Sequence, residues 1–171
     1  MSRVITFSRT FPSYHPKAGQ PTYFVEKVVK SLHWDAKYPP VPLQAPFDSD
    51  IYINVAPKHH TIRAGHRFKV GDKFSPRVWS GKPYGSKMIQ FAPDIEVKKV
   101  WCFEFDVNGV SLIALPGEQL KYLDDGVEET IAKNDGLEYN DFLEWVIMPY
   151  YRKGKELGPL QIICWNETIN Y

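Results

Sequence analysis

Two cysteines, three methionines and no long hydrophobic run are what this chain of 171 residues has least of. Cys102 and Cys164 each sit in an apolar, strand-like stretch, so buried free thiols are expected. A bridge between them would demand neighbouring strands of matched geometry. Neither belongs to a C-x-x-C, which leaves a zinc site without support. No apolar run approaches the ~20 residues that cross a bilayer. The stretch from Met1 to Thr10 carries Arg3 and Arg9 but lacks the apolar core of a secretory signal. The expectation is a cytoplasmic protein without membrane contact. Also missing are G-x-x-x-x-G-K-[ST], G-x-S-x-G and H-E-x-x-H, and with them phosphate-loop, nucleophile-elbow and zincin chemistry. His59, His60 and His66 do not replace them, because adjacent histidines on extended backbone point apart. No metal or cofactor is called for.

What is present describes a packed globule. Hydrophobic residues make up 43% and aromatics 15%, with 24% charged, enough for one domain spanning residues 1–171 with a real core. The net charge of +1 conceals a segregation. Between Lys58 and Lys99 stand ten Lys/Arg against three Asp/Glu; between Glu104 and Glu144 stand two against eleven. Such a chain can attract phosphate at one place while staying near neutral overall. The plain alternative is that the two blocks face each other and cancel.

Along the chain, Val4 to Phe7 reads as a first strand and Phe11 to Gln20 as a loop. Thr22 could cap a helix carrying Phe24, Val25, Val28 and Leu32 and ending near His33 or Trp34. The prolines from 38 to 46 mark an extended connection, an insertion near 36–50. A strand is expected from Asp72 to Trp79. A second, from Val97 to Val107, carries Val97, Trp101, Phe103, Phe105 and Val107 on one face. Asn108-Gly109 signals a two-residue hairpin returning through Val110 to Leu115. A helix after Asp125, with Glu128 at capping-box spacing, should end at Gly136. Another, from Asn140 to about Tyr150, should bury Phe142, Leu143, Trp145, Val146 and Met148. Leu160 to Trp165 closes the chain as a buried strand. The order implies α+β, with a small mixed or closed sheet and helices at one side.

Two places carry chemistry. In Lys58-His59-His60-Thr61-Ile62-Arg63 an amine, a hydroxyl and a guanidinium lie within six residues. On extended backbone Thr61 and Arg63 share a face, whereas a helical turn or a bend would bring Lys58 to Thr61. In the latter case the lysine could activate the threonine as a nucleophile, with a carboxylate such as Asp135 orienting it. The rival is an exposed basic turn with a structural threonine. The second place, Arg77 to Lys87, interleaves cations with aromatics, as binding to exposed bases and phosphates requires. Arg63, His66, Arg67 and Lys69 could extend that surface. Its rival is a solvated hairpin with Trp79 in the core.

Lys58-x-x-Thr61-x-Arg63 followed by Phe68-Lys69-Val70-Gly71-Asp72 resembles the signature of ASCH domains, relatives of the PUA-like RNA-binding barrels. Ile131 to Leu137, then Asp141-Phe142, is similar to their second signature, and Gln161 to Trp165 to their final strand. The resemblance covers roughly Lys58 to Tyr171, with Ile5 to Arg9 similar to a first strand, as in larger ASCH proteins of bacteria or phages. It implies a PUA-like mixed β-barrel with flanking helices and a cleft suited to RNA or a modified nucleoside. Some small bacterial members hydrolyse acetylcytidine with a lysine, a threonine and a glutamate. Lys58 and Thr61 match the first two, and Asp135, one methylene shorter, stands where the glutamate is expected.

Three functions follow as expectations. The first is binding of RNA or a modified nucleoside through Lys58, Arg63, Arg67, Lys69, Arg77, Lys82 and Lys87, with Trp79 or Tyr84 stacking on a base. The second is an amidohydrolase using Lys58, Thr61 and Asp135 on an acetylated cytidine. The third is a module that meets a basic protein partner through the acidic 104–144 region.

Overall fold

The alternating stretch around Trp101 forms a strand, though over fewer residues than its pattern covers. Trp101 and Phe103 are buried, whereas Val107 is 96% exposed because it lies in the turn that follows. This computed structural model describes residues 2–32, 45–149 and 159–171. Its strands are β1 (Arg3–Thr6), β2 (His60–Ala64), β3 (Lys73–Trp79), β4 (Met88–Gln90), β5 (Ile95–Glu96), β6 (Lys99–Phe105), β7 (Ser111–Ala114), β8 (Lys121–Tyr122) and β9 (Leu160–Cys164). Its helices are α1 (Phe24–Ser31), α2 (Ser49–Asn54), α3 (Val127–Asn134) and α4 (Tyr139–Phe142). They belong to two compact units that alternate along the chain. One is Met1–Lys58 with Asp72–Glu96; the other is His59–Gly71 with Val97–Tyr171.

In the first unit β3 is the central strand. β1 pairs with it in parallel, Val4 opposite Ser75 and Thr6 opposite Arg77, while β4 and β5 pair with it antiparallel. Phe74 and Val78, two positions of one alternating face, are fully buried with Phe91. The Phe7 and Phe91 rings meet edge-on at 5.6 Å. Val28 and Val29 bury the apolar side of α1. Thr22 does serve the start of this helix, accepting a hydrogen bond from the Phe24 N–H while its hydroxyl donates to the Ser8 carbonyl. The cap position itself is Tyr23, held at φ 55°. Helix α2 was not foreseen. It begins just past the extended 38–46 connection, within the expected insertion near 36–50, because Asp48 Oδ1 accepts from the Asp50 and Ile51 amides. Lys30 Nζ donates to the Tyr52 and Ile53 carbonyls at its far end, where a cation is favourable. The remainder of the proline-rich connection and the expected end of α1 at His33 or Trp34 lie outside the described residues.

The second unit is an antiparallel sheet in the order β2-β9-β6-β7-β8. All five residues of β9 are buried, as expected for a strand with neighbours on both sides. The β6–β7 connection is a three-residue turn rather than the two-residue one expected. Gly109, at φ 81°, donates to the Asp106 carbonyl, and Asp106 N–H reaches Val110. The Asp106 carboxylate accepts from the Asn108 and Val110 amides, and these bonds hold it below the usual carboxylate range.

Helix α3 is capped by Gly126 at φ 79° with no side-chain bond, so the Asp125–Glu128 capping box does not form. Its other end behaves as expected. Gly136, at φ 77°, donates to Lys133, and Leu137 donates to Ala132, which is a Schellman closure. α4 passes into one wide π-type turn, Leu143–Ile147, which shifts the helical phase. Of the expected stripe only Phe142 is therefore fully buried, and Ile147 joins it. The stripe's expected limit at Tyr150 is outside the described residues.

The class is α+β, with two sheets and few helices. A closed barrel is not what forms. Each sheet is open among the described residues, because β2 and β8 end one and only antiparallel or parallel neighbours of β3 build the other. No helix among those residues is long and apolar enough to cross a membrane.

Candidate functional site

The residues singled out from the sequence divide between the units. Lys58, Arg77, Trp79, Lys82, Tyr84 and Lys87 belong to the first, and Thr61, Arg63, Arg67, Lys69 and Asp135 to the second.

In the first unit the register Trp79–Met88 makes Ser80 to Lys87 the tip of the β3–β4 hairpin. Ser80 N–H bonds the Lys87 carbonyl, Gly81 N–H bonds Ser86 Oγ, and Gly85 N–H bonds the Lys82 carbonyl. Tyr84 occupies the left-handed region at φ 60°, an uncommon setting for a bulky side chain. Its side chain is 93% exposed, and its ring centre lies 5.4 Å from that of the half-buried Trp79. Lys82 and Lys87 are exposed beside it. Arg77 is half-buried and spends its Nε–H on Ser75 Oγ, which leaves its other nitrogens to act. The hairpin tip is solvated, and Trp79, half-buried, is not sealed into the core. Lys58 is 1% exposed, and its Nζ lies 4.4 Å from the centre of the Phe24 ring. A cation over an aromatic face is one of the few arrangements that make burial of a lysine tolerable.

In the second unit the segment around Thr61 is extended, which decides between the strand and helical alternatives. Thr61 pairs with Ile163 and Arg63 with Gln161, so the two share one face of β2, while His60 and Ile62 occupy the other. Thr61 is 2% exposed. Asp135 ends α3 and is 6% exposed. Its Oδ1 lies 3.6 Å from Nδ1 of the fully buried His60, a charge contact when the imidazole is protonated. Burial pushes the Arg63 guanidinium down from its ordinary range, and the Asp135 charge pulls it back up.

Residues that sequence reading had not assigned complete this cluster. The Tyr171 ring lies 4.9 Å from Trp101, tilted to it, and 5.8 Å from His60, edge-on. Its hydroxyl accepts from Asn134 Nδ2, next in sequence to Asp135. Burial pushes the Tyr171 phenol up, with the Asn134 bond opposing. Lys99 Nζ donates to the Ile169 carbonyl and Asn170 Oδ1, which ties down the segment carrying Tyr171. Gln161, seen in the sequence only as a strand residue, accepts from the Arg67 and Phe68 amides and donates to the Phe68 carbonyl. It thereby fixes the loop on which Arg67 and Lys69 stand exposed. No sequence signal marks Tyr171 or Gln161 for these tasks, since each acts across the fold.

Cys164 is buried and Cys102 half-buried, both as free thiols. Burial raises both, Cys164 to about 11, so neither is poised as a nucleophile. His66 Nδ1 lies 3.8 Å from Cys102 Sγ. Compared with protein-family models, with curated proteins and with solved structures, the chain matches none of them.

Proposed function

We infer that the protein binds RNA or a modified nucleoside. The observation that carries this reading is the β3–β4 hairpin tip, where a 93% exposed tyrosine is backed by a tryptophan and flanked by two exposed lysines. An exposed ring is a stacking platform for any base, and lysines beside it meet the phosphates on either side. Arg67 and Lys69, exposed on the loop held by Gln161, supply a second pair of cations in the other unit. The ASCH resemblance, without the closed barrel it implies, is part of this reading. It is supported locally: Thr61 and Arg63 enter a strand, Gly71 leads into β3, and Asp135 ends a helix followed directly by α4. Fluorescence anisotropy with a labelled single-stranded RNA tests the reading. Affinity should fall steeply with added salt and weaken in Lys82→Ala and Tyr84→Ala. Binding that ignores both salt and these substitutions would remove the hairpin from the function.

A second reading, hydrolysis of an acetylated cytidine, is favoured by burial alone. Lys58, Thr61 and Asp135 are each more than nine-tenths buried, and ionisable groups in such settings are over-represented at catalytic sites. Incubation with acetylcytidine decides: cytidine released by the native protein and not by Lys58→Ala would establish the enzyme.

A further inference from the structure

The first unit holds a cleft that none of the motif residues lines. It measures about 310 Å³ and is bounded by Arg9, Tyr23, Phe24, Glu26, Phe47 and Asp48, with Pro21, Val25 and Pro46 between them. That volume is at the small end of the roughly 300–1,000 Å³ typical of ligand sites. Its rim is a fixed structure. Thr22 N–H donates to the Arg9 carbonyl, Thr10 and Pro21 form an isolated bridge, and the Thr22 hydroxyl donates to Ser8. The Phe24 ring lies near the ammonium groups of Lys58, at 4.4 Å, and Lys27, at 5.8 Å.

The donors and acceptors of this cleft are unequal. Glu26 is 6% exposed, and its Oε1 accepts one bond, from the Asp48 N–H at 3.0 Å. Its other oxygen accepts none from the described residues. A buried carboxylate oxygen is an acceptor only, and it gains most from an N–H brought to it without water. Three aromatic residues, Tyr23, Phe24 and Phe47, share the lining with it, and aromatic ring surface suits a planar ligand. Arg9 is the exposed cation of the lining and suits an anionic group. Parallel pairing of β1 and β3 sends both chains out of the sheet at the same end. Arg9 follows β1 there, and the Ser80–Lys87 tip follows β3.

We propose that this cleft takes a nucleotide whose base carries an exocyclic amino group, with Glu26 accepting from that amino group and Arg9 meeting the phosphate. The proposal rests on the nucleic-acid reading above and names the base class it selects. Uracil and hypoxanthine present a carbonyl oxygen where cytosine and adenine present an amino group, and two acceptors facing each other repel. The cleft therefore selects against the oxo base rather than for a particular ring.

Calorimetric titration of the full chain with CMP against UMP, and with AMP against IMP, reads this directly. In each pair the amino base should bind about tenfold tighter or more, the discrimination that one well-made base contact supplies. Glu26→Gln, whose amide can donate to a carbonyl, should bring each pair within about threefold. Phe47→Ala, on a half-buried side chain, should weaken both members of a pair equally and so keep their ratio. Circular dichroism and a melting curve on each variant separate lost binding from lost folding. Equal affinity within the native pairs, or an unchanged ratio in a folded Glu26→Gln, overturns the proposal. If RNA binds through Lys82 and Tyr84 but no mononucleotide binds, the cleft assignment fails and the hairpin reading stands. If mononucleotides show the expected ratio but RNA does not bind, the hairpin reading fails and the cleft stands.

Discussion

The hairpin tip of the first unit and the β2–α3 cluster of the second are built from similar residue types and treat them in opposite ways. At the tip Lys82, Tyr84 and Lys87 stand in water, make few bonds with the rest of the chain and can be given wholly to a ligand. In the cluster His60 meets Asp135 and Tyr171, Tyr171 lies against Trp101, and the Asp135 charge acts on Arg63. A charge in water needs no partner, whereas a charge taken out of water must be compensated nearby. The difference teaches that residue type does not reveal whether a group serves binding or folding; its surroundings do.

That comparison can be broken at several points, the largest effect first. Asp135→Ala removes the carboxylate that offsets Arg63 and His60. It should cost about 3–5 kcal/mol in urea unfolding, as when one partner of a buried charge pair is lost. An unchanged midpoint would mean that the cluster is not a stabilising unit. Tyr84→Ala should leave stability within about 0.5 kcal/mol while weakening single-stranded RNA binding by about 1–3 kcal/mol. Gly136→Ala forces a Cβ into the left-handed region that closes α3. About 1–2 kcal/mol should be lost, visible as a lower melting temperature with RNA binding intact. Lys82→Ala should reduce the slope of log affinity against log salt by about 0.7 for single-stranded RNA.

A further test is the pH dependence of the buried side. Cys164 is shifted by burial from 9.0 to about 11, so the folded state keeps its thiol proton where the unfolded chain has released it. Its contribution is complete below pH 9 and is lost as pH rises from 9 through 11; Tyr171, pushed the same way, adds to this. Equilibrium unfolding should weaken across that window, and less steeply in Cys164→Ala.

Much of the scaffold was legible because it depends on local pattern. β1, β3, β6 and β9 and the closure of α3 at Gly136 all follow from period, turn residues or burial, whereas the extended course of Thr61 to Arg63 was left open. Helix α2 was hidden by the prolines before it, although Asp48-Ser49-Asp50 is a readable cap. The phase shift after Phe142 was not readable, since a π-type turn has no compositional mark. The site was legible as a set of residue types and not as an arrangement. Neither the partition of those residues between two units nor the seating of Tyr171 beside His60 is encoded within any short stretch. The cleft at Glu26 is of the same kind, formed by side chains from three separated segments.

The position of β9 has a consequence for synthesis. This strand, second from the edge in space and last among the described strands, joins β2 to β6 along its whole length. Until it leaves the ribosome, both neighbours expose unsatisfied peptide edges that any extended segment can match. Nascent chains stalled before Leu160 should therefore be held by chaperones or aggregate, and solubility should return only when that final insertion seals the seam.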